Sequence, residues 1–169
     1  MVKLLKKGET IALNNLVANL QDIVIVKKWQ ALNETDFDID SSAFLLTTQN
    51  KVRQDADFIF YNQPASNNQA VLLKNNAFKV SLNRLDNNID KISFVLSIHN
   101  ADLKKQHFGL LKNISIEVFN FADKQKIASY SLTDASIETA IILGVLYRYQ
   151  SEWKFRAIGQ GYTGGLAQL

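Results

Sequence analysis

A β-sandwich is the fold this sequence predicts. Three observations carry it: apolar residues recur with a period of two, asparagine pairs suited to turns separate the apolar runs, and helix signals are sparse, with no βαβ rhythm. The 169 residues fit one domain, 1–169, around one core. Hydrophobic residues at 47% and charged residues at 21% match ordinary globular usage, which excludes a disordered tail or a fibrous repeat.

In chain order, Thr35-Asp36-Phe37-Asp38-Ile39-Asp40 alternates polar and apolar side chains, then leads into the apolar run Ala43-Phe44-Leu45-Leu46. A strand passing from a half-exposed edge into a core has this pattern. Residues 57–61, 78–82, 91–98 and 114–119 repeat it with β-branched and aromatic side chains. Between the runs stand Asn14-Asn15, Asn67-Asn68, Asn75-Asn76 and Asn87-Asn88, and asparagine tolerates positive φ and bonds its own backbone. Residues 146–149 and 152–158 alternate on both sides of Gln150-Ser151, which predicts a hairpin with a two-residue loop. Two short helices are expected: two turns over 101–108 stopped by Gly109, and one capped by Thr133 or Asp134 and running through Ile141. Trp29, Trp153 and Phe155 are expected in the core.

Composition narrows the chemistry. The chain has no cysteine, which removes disulfides, thiolate metal sites, iron–sulfur clusters and cysteine nucleophiles. The basic start has too short an apolar run for an export signal, and no stretch approaches the length of a membrane span; the best, 140–146, ends near Arg148. A cytoplasmic protein is expected. The 19 Lys plus Arg exceed the 16 Asp plus Glu by a net charge of +3. They are dispersed rather than gathered into a phosphate-tracking stripe, so no nucleic-acid partner is expected.

Asp36, Asp38 and Asp40 share one face of the first strand, successive positions lying about 7 Å apart. A hard cation such as Ca²⁺, which takes about six to eight oxygen ligands, would offset their repulsion. Asp55, Asp57 and Asn62 form a second oxygen-rich cluster. The Asp-x-Asp-x-Asp spacing is not an EF-hand, because it lacks the glycine at the sixth position and has Thr47 where the closing glutamate belongs. Solvated aspartates at strand ends are the plainer reading. The histidines, His99 and His107, form no metal pair, and Ser97, His99 and Asp102 assemble a triad only on paper, without a nucleophile elbow. The segment Gly159-Gln160-Gly161-Tyr162-Thr163-Gly164-Gly165 has no helix behind it to make a phosphate cradle and reads as tight backbone packing.

With these blocks in hand, the chain resembles the TerD family of tellurium-resistance and general-stress proteins. The similarity runs through residues 36–46, 51–62, 89–95, Gln106-His107-Phe108-Gly109, 136–140, and the most specific block, 146–148 with Glu152-Trp153-Lys154-Phe155-Arg156-Ala157-Ile158-Gly159-Gln160-Gly161-Tyr162. The resemblance implies a non-enzymatic β-sandwich that binds two neighbouring Ca²⁺ ions in an acidic loop region. It also implies action with other Ter-type stress proteins, in bacterial cytoplasm or at the inner-membrane face, in resistance to tellurite, phage and colicins.

One departure stands out. Where typical members carry a long loop rich in Gly, Asp and Glu, residues 71–79 here contain no carboxylate and include Lys74 and Lys79. Calcium affinity rises with ligand charge, so a weak or degenerate site is expected, with Asp38, Asp40, Asp57 and Asn62 as residual ligands. The alternatives are a working Ca²⁺ switch, in which Asp36, Asp38, Asp40, Asp55 and Asp57 suffice with backbone carbonyls, and a small-ligand module in which Arg53, Arg148 or Arg156 holds a cyclic nucleotide. Without cysteine there is no obvious soft ligand for tellurium apart from Met1, so any resistance would be indirect. The chain stops at Leu169, where typical members continue with a short tail.

Overall fold

The computed structural model describes residues 2–31, 37–49, 51–66, 68–75, 77–150 and 152–164. The strands are β1 (Lys3–Leu5), β2 (Thr10–Ala12), β3 (Asp22–Ala31), β4 (Ile39–Leu46), β5 (Phe58–Ile59), β6 (Val71–Lys74), β7 (Ala77–Ser81), β8 (Lys91–Ile98), β9 (Leu111–Asn120), β10 (Lys126–Leu132), β11 (Ala140–Tyr149) and β12 (Glu152–Tyr162). They form two six-stranded sheets, ordered β1-β10-β9-β3-β7-β6 and β2-β12-β11-β8-β4-β5. Every pairing is antiparallel except β1 with β10. The protein is an all-β sandwich.

Alternation builds the core. On one sheet Ile23 and Ile25 of β3, Phe78 and Val80 of β7, and Ile116 and Val118 of β9 are fully buried; Phe94 and Leu96 of β8, Leu143 of β11 and Phe155 of β12 are fully buried on the other. Phe78 and Phe94 meet edge to face, with centroids 5.6 Å apart, which ties the two layers together. Trp153 and Phe155 are buried, and Trp29 packs half-buried against the same cluster. The hairpin lies where expected: Tyr149 pairs with Glu152, and Gln150 adopts φ 58°.

Both expected helices are corrected. At 101–108 only one helical turn forms, Ala101–Lys104, because Lys105 enters the left-handed region at φ 54°. The amides of Phe108 and Gly109 then bond the carbonyls of Glu138 and Ser136, at 2.8 and 2.7 Å, and a 3-10 turn runs over Phe108–Leu110. These tertiary bonds, with the fully buried Phe108 ring, outweigh local helix preference. At 133–141 there is no helix. Thr139 N bonds Tyr162 O at 2.9 Å, and the β-branched run beginning at Ile141 joins β11.

Two further differences bear on the site. The strand expected over 57–61 is cut to Phe58–Ile59, because Asp55–Asp57 close into a 3-10 turn. Residues 71–79 form the β6–β7 hairpin at a sheet edge, with Asn75 at φ 52°. Among the described residues no helix is long and apolar enough to cross a membrane.

Candidate functional site

The expected ligands separate into two places. Asp40 enters β4 opposite Ser97 of β8, and Asp38 precedes it with its carbonyl accepting a bond from His99 N at 2.8 Å. Both line a cavity of about 370 Å³, together with Ser41, Tyr61, Leu73 and His99. The cavity lies at the edge where β5 of one sheet and β6 of the other come together. Asp38 is exposed and Asp40 half-buried. Partial burial raises the Asp40 carboxyl above its ordinary value, and the charge of Asp38 adds to the rise, partly offset by His99. Asp36 lies outside the described residues.

Asp57 does not line this cavity. The 3-10 turn buries it to 2% exposure, and Arg53 four residues earlier grips both its oxygens, Nε to Oδ2 at 2.7 Å and Nη2 to Oδ1 at 3.2 Å. The remaining guanidinium nitrogen reaches Asp86 Oδ2 at 3.1 Å. That contact, after the Asn88 amide, holds Asp86 below the usual carboxylate range, and the two carboxylates hold Arg53 above its ordinary value. Asp55 is exposed, and its carbonyl accepts from Gln63 Nε2 at 2.5 Å. Asn62 is exposed in the turn between Phe60 and Gln63, which bridge to each other. Among the described residues no group of three or more His, Asp or Glu side chains converges on a common point.

The other candidates also find places. Arg148 lies over the Trp153 ring, 4.5 Å from its centroid, and donates to the carbonyls of Ile89 and Asp86 at 3.3 and 3.4 Å. Arg156 is exposed on β12. Ser97 is buried while His99 and Asp102 are exposed. At Gly159 and Gly161 the glycine segment is closely packed: Gly159 has φ +68°, a Cβ there would strike the Tyr130 hydroxyl, and one on Gly161 would strike Glu138, while Gly165 lies outside the described residues.

Two features escape sequence reasoning. Lys27 occupies an inward position of β3, in phase with Ile23 and Ile25, and is 3% exposed. Its Nζ donates to the carbonyls of Ser42 and Val95 in the opposite sheet, at 2.7 Å each. The period-two register with a lysine in the apolar phase was the available signal. The Arg53–Asp57 pair is the second; their i,i+4 spacing was visible, but the turn that closes it was not.

These features define an all-β sandwich whose Arg53–Asp57 ion pair and acidic cavity lie at one sheet edge. The chain belongs to the TerD family: the TerD domain model matches residues 1–169. It is 39% identical to tellurium resistance protein TerD of Serratia marcescens, over 98% of this chain and 93% of that protein. It is 40% identical to general stress protein 16U of Bacillus subtilis (strain 168), with the same shares covered. A crystal structure of a homologue of telluride resistance protein (TerD) from Streptomyces coelicolor A3(2) superimposes with a TM-score of 0.68 at 14% identity. It covers 89% of this chain and 95% of that one, a likeness of fold.

Proposed function

We propose that this chain is a non-enzymatic, cytoplasmic stress-response protein that binds other proteins, Ter-type stress proteins among them, and that its calcium response is weak or lost. Peripheral contact with inner-membrane complexes fits the same reading. The observation that carries it is the state of Asp57. Its carboxylate is buried with both oxygens bonded by the partly exposed Arg53, so ligating Ca²⁺ would displace the cation that pairs a buried carboxylate. Asp38 and Asp40 stand apart at the cavity, and the 71–79 hairpin supplies no carboxylate. The match to the Serratia protein spans 179 positions against 169 residues here, so the relative carries sequence that this chain lacks. The names of the relatives support the stress role. Arg53 and Arg148 are engaged within the fold, which weighs against a cyclic-nucleotide site.

The test is thermal. At about 5 mM Ca²⁺ a roughly 1 mM site stabilises by about 1 kcal/mol, or about 2–4 °C in Tm for a chain of this size. A micromolar site would give about 5 kcal/mol and a shift above about 10 °C, and that result rejects the reading. A second reading, a working Ca²⁺ switch, is favoured by the crowding of Asp38 and Asp40, which a cation would relieve. In that case Asp40→Ala or Asp57→Ala abolishes a large Ca²⁺-induced rise in Tm.

A further inference from the structure

The outer face of the β2-β12-β11-β8-β4-β5 sheet is apolar where a sandwich of antiparallel sheets ordinarily turns a polar face to solvent. From Ala140 to Tyr147 every residue of β11 is apolar or glycine, the pattern of a strand covered on both sides. Ile141, Leu143 and Leu146 belong to the buried core, but Ile142, Val145 and Tyr147 lie outside it and are half-buried. Neighbouring strands extend the patch in register. Val145 stands beside Ser93 of β8, which stands beside Phe44 of β4, and Phe44 stacks on Phe58 of β5 with centroids 4.6 Å apart. In the next row Tyr147 is aligned with Lys91 and then Leu46. A hollow of about 370 Å³ lies on this face, walled by Leu46, Val145, Tyr147 and Ile158. A contiguous apolar patch of this kind, rimmed by polar residues, marks an interaction surface.

Charge at the hollow has one sign. Lys91 and Arg156 line it, Lys154 is paired with Tyr147, and no carboxylate lines it. The acidic side chains nearest in register, Asp40 and Glu152, stand beyond it at opposite ends of the strands. Among the described residues neither Lys154 nor Arg156 forms an ion pair. The outer face of the other sheet is different: there Glu117 is bonded by Lys28 and Lys126, and Asp22 lies 4.0 Å from Lys79.

We propose that this face docks one amphipathic helix of a partner protein, whose apolar stripe fills the hollow and whose carboxylates meet Lys154 and Arg156. From β4 to β12 there are three inter-strand steps, about 14 Å, which accommodates a helix of roughly 10–12 Å diameter. Apolar anchors supply the contact area, and the unpaired cations select an acidic partner over a basic one. A second copy laid on the same face would add cation to cation. A bilayer surface takes up apolar side chains that protrude, whereas these wall a hollow. The inference deepens the proposed function and rests on its reading that the chain binds other proteins.

Titration of the isotope-labelled chain at low ionic strength, followed by heteronuclear NMR, tests it. The probes are an amphipathic helical peptide of leucine, alanine and glutamate, and the same peptide with lysine for glutamate. The acidic peptide binds with a Kd below about 1 mM and shifts amides of β8, β11 and β12, whereas the lysine peptide does not bind. Val145→Asp weakens binding by about tenfold or more, and the double variant Lys154→Glu with Arg156→Glu transfers the preference to the lysine peptide. Near-ultraviolet circular dichroism establishes that each variant is folded; the double variant alters only outward-facing side chains and tests the charge requirement without touching the apolar anchors. The inference is overturned if the acidic peptide does not bind below about 1 mM, if both peptides bind alike, if the shifted amides lie elsewhere, or if the folded double variant keeps the parent's preference. A parent that sediments as a dimer dissociated by Val145→Asp, or that binds phosphatidylglycerol vesicles and not the acidic peptide, overturns it as well. The proposed function is judged separately by the Ca²⁺-dependent rise in Tm, so either can fail alone.

Discussion

Lys27 places a titratable amine in the centre of the sandwich. Its Nζ is held by two main-chain carbonyls, of Ser42 and Val95, which face each other across the β4–β8 ladder, and it lies 4.8 Å from the Phe78 centroid and 5.6 Å from that of Phe94. Burial pushes this ammonium well below the ordinary lysine value. Between the depressed folded value and the ordinary unfolded one, the unfolded chain therefore binds one proton more than the folded chain. Stability then rises with pH through that window, by up to about 1.36 kcal/mol per pH unit for one proton, and levels off above about pH 10.5. Lys27→Met keeps the length of the side chain and removes the amine. Urea unfolding followed by the fluorescence of Trp29 and Trp153 at about pH 7, 8 and 9 gives both stabilities. The parent gains stability relative to Lys27→Met as pH rises from the lowest value to the highest, by no more than about 1.36 kcal/mol per pH unit. Parallel profiles for the two proteins refute the reasoning, because they mean that the amine keeps its proton inside the fold.

Three other substitutions probe other parts of the molecule. Arg53→Gln leaves the 2%-exposed Asp57 carboxylate without its cation and costs about 2–4 kcal/mol by urea unfolding, whereas Asp86→Ala, which removes only exposed contacts to Arg53 and the Asn88 amide, costs less. Gly159→Ala forces a left-handed residue and a clash with the Tyr130 hydroxyl. It lowers stability by about 1–3 kcal/mol, and Tyr130→Phe in the same chain recovers part of that loss in thermal melts. Burial raises the Glu117 carboxyl, but bonds from Lys126 and Lys28 outweigh that and leave it below its ordinary value. Its contribution is present above the unfolded value of about 4.3 and is lost as pH falls through the folded one, so acid unfolding of Glu117→Gln shows a shallower loss of stability below about pH 4.5.

The strands that alternate cleanly were legible in the sequence: β4, β7, β8 and β9 fall close to the expected residues, and the β11–β12 hairpin turns where expected, although β11 begins at Ala140 and not at Leu146. Strand β3 was not expected, because Lys27 stands in its apolar phase, although the inward positions Ile23 and Ile25 are fully buried. The three-residue strands β1 and β2 are too short to show a period. Both helix expectations failed for one reason: local propensity says nothing about bonds to distant chain, and Ser136 and Glu138 bind the amides of Gly109 and Phe108. At the site, sequence identified Asp38 and Asp40 as neighbours, which the structure places just before β4 and in it, but treated Asp57 as a free oxygen donor. Whether Arg53 turns toward it depends on the 3-10 turn at Asp55–Asp57, which spacing alone does not reveal.

Isothermal titration of Ca²⁺ into chelator-treated protein, with Arg53→Gln alongside, tests most directly whether the engaged Asp57 prevents a strong divalent site. The account predicts no heat, or a single transition with a Kd near 1 mM or weaker, in the parent chain. Two sites with micromolar Kd in the parent would contradict it, most directly if Asp57→Asn abolishes them.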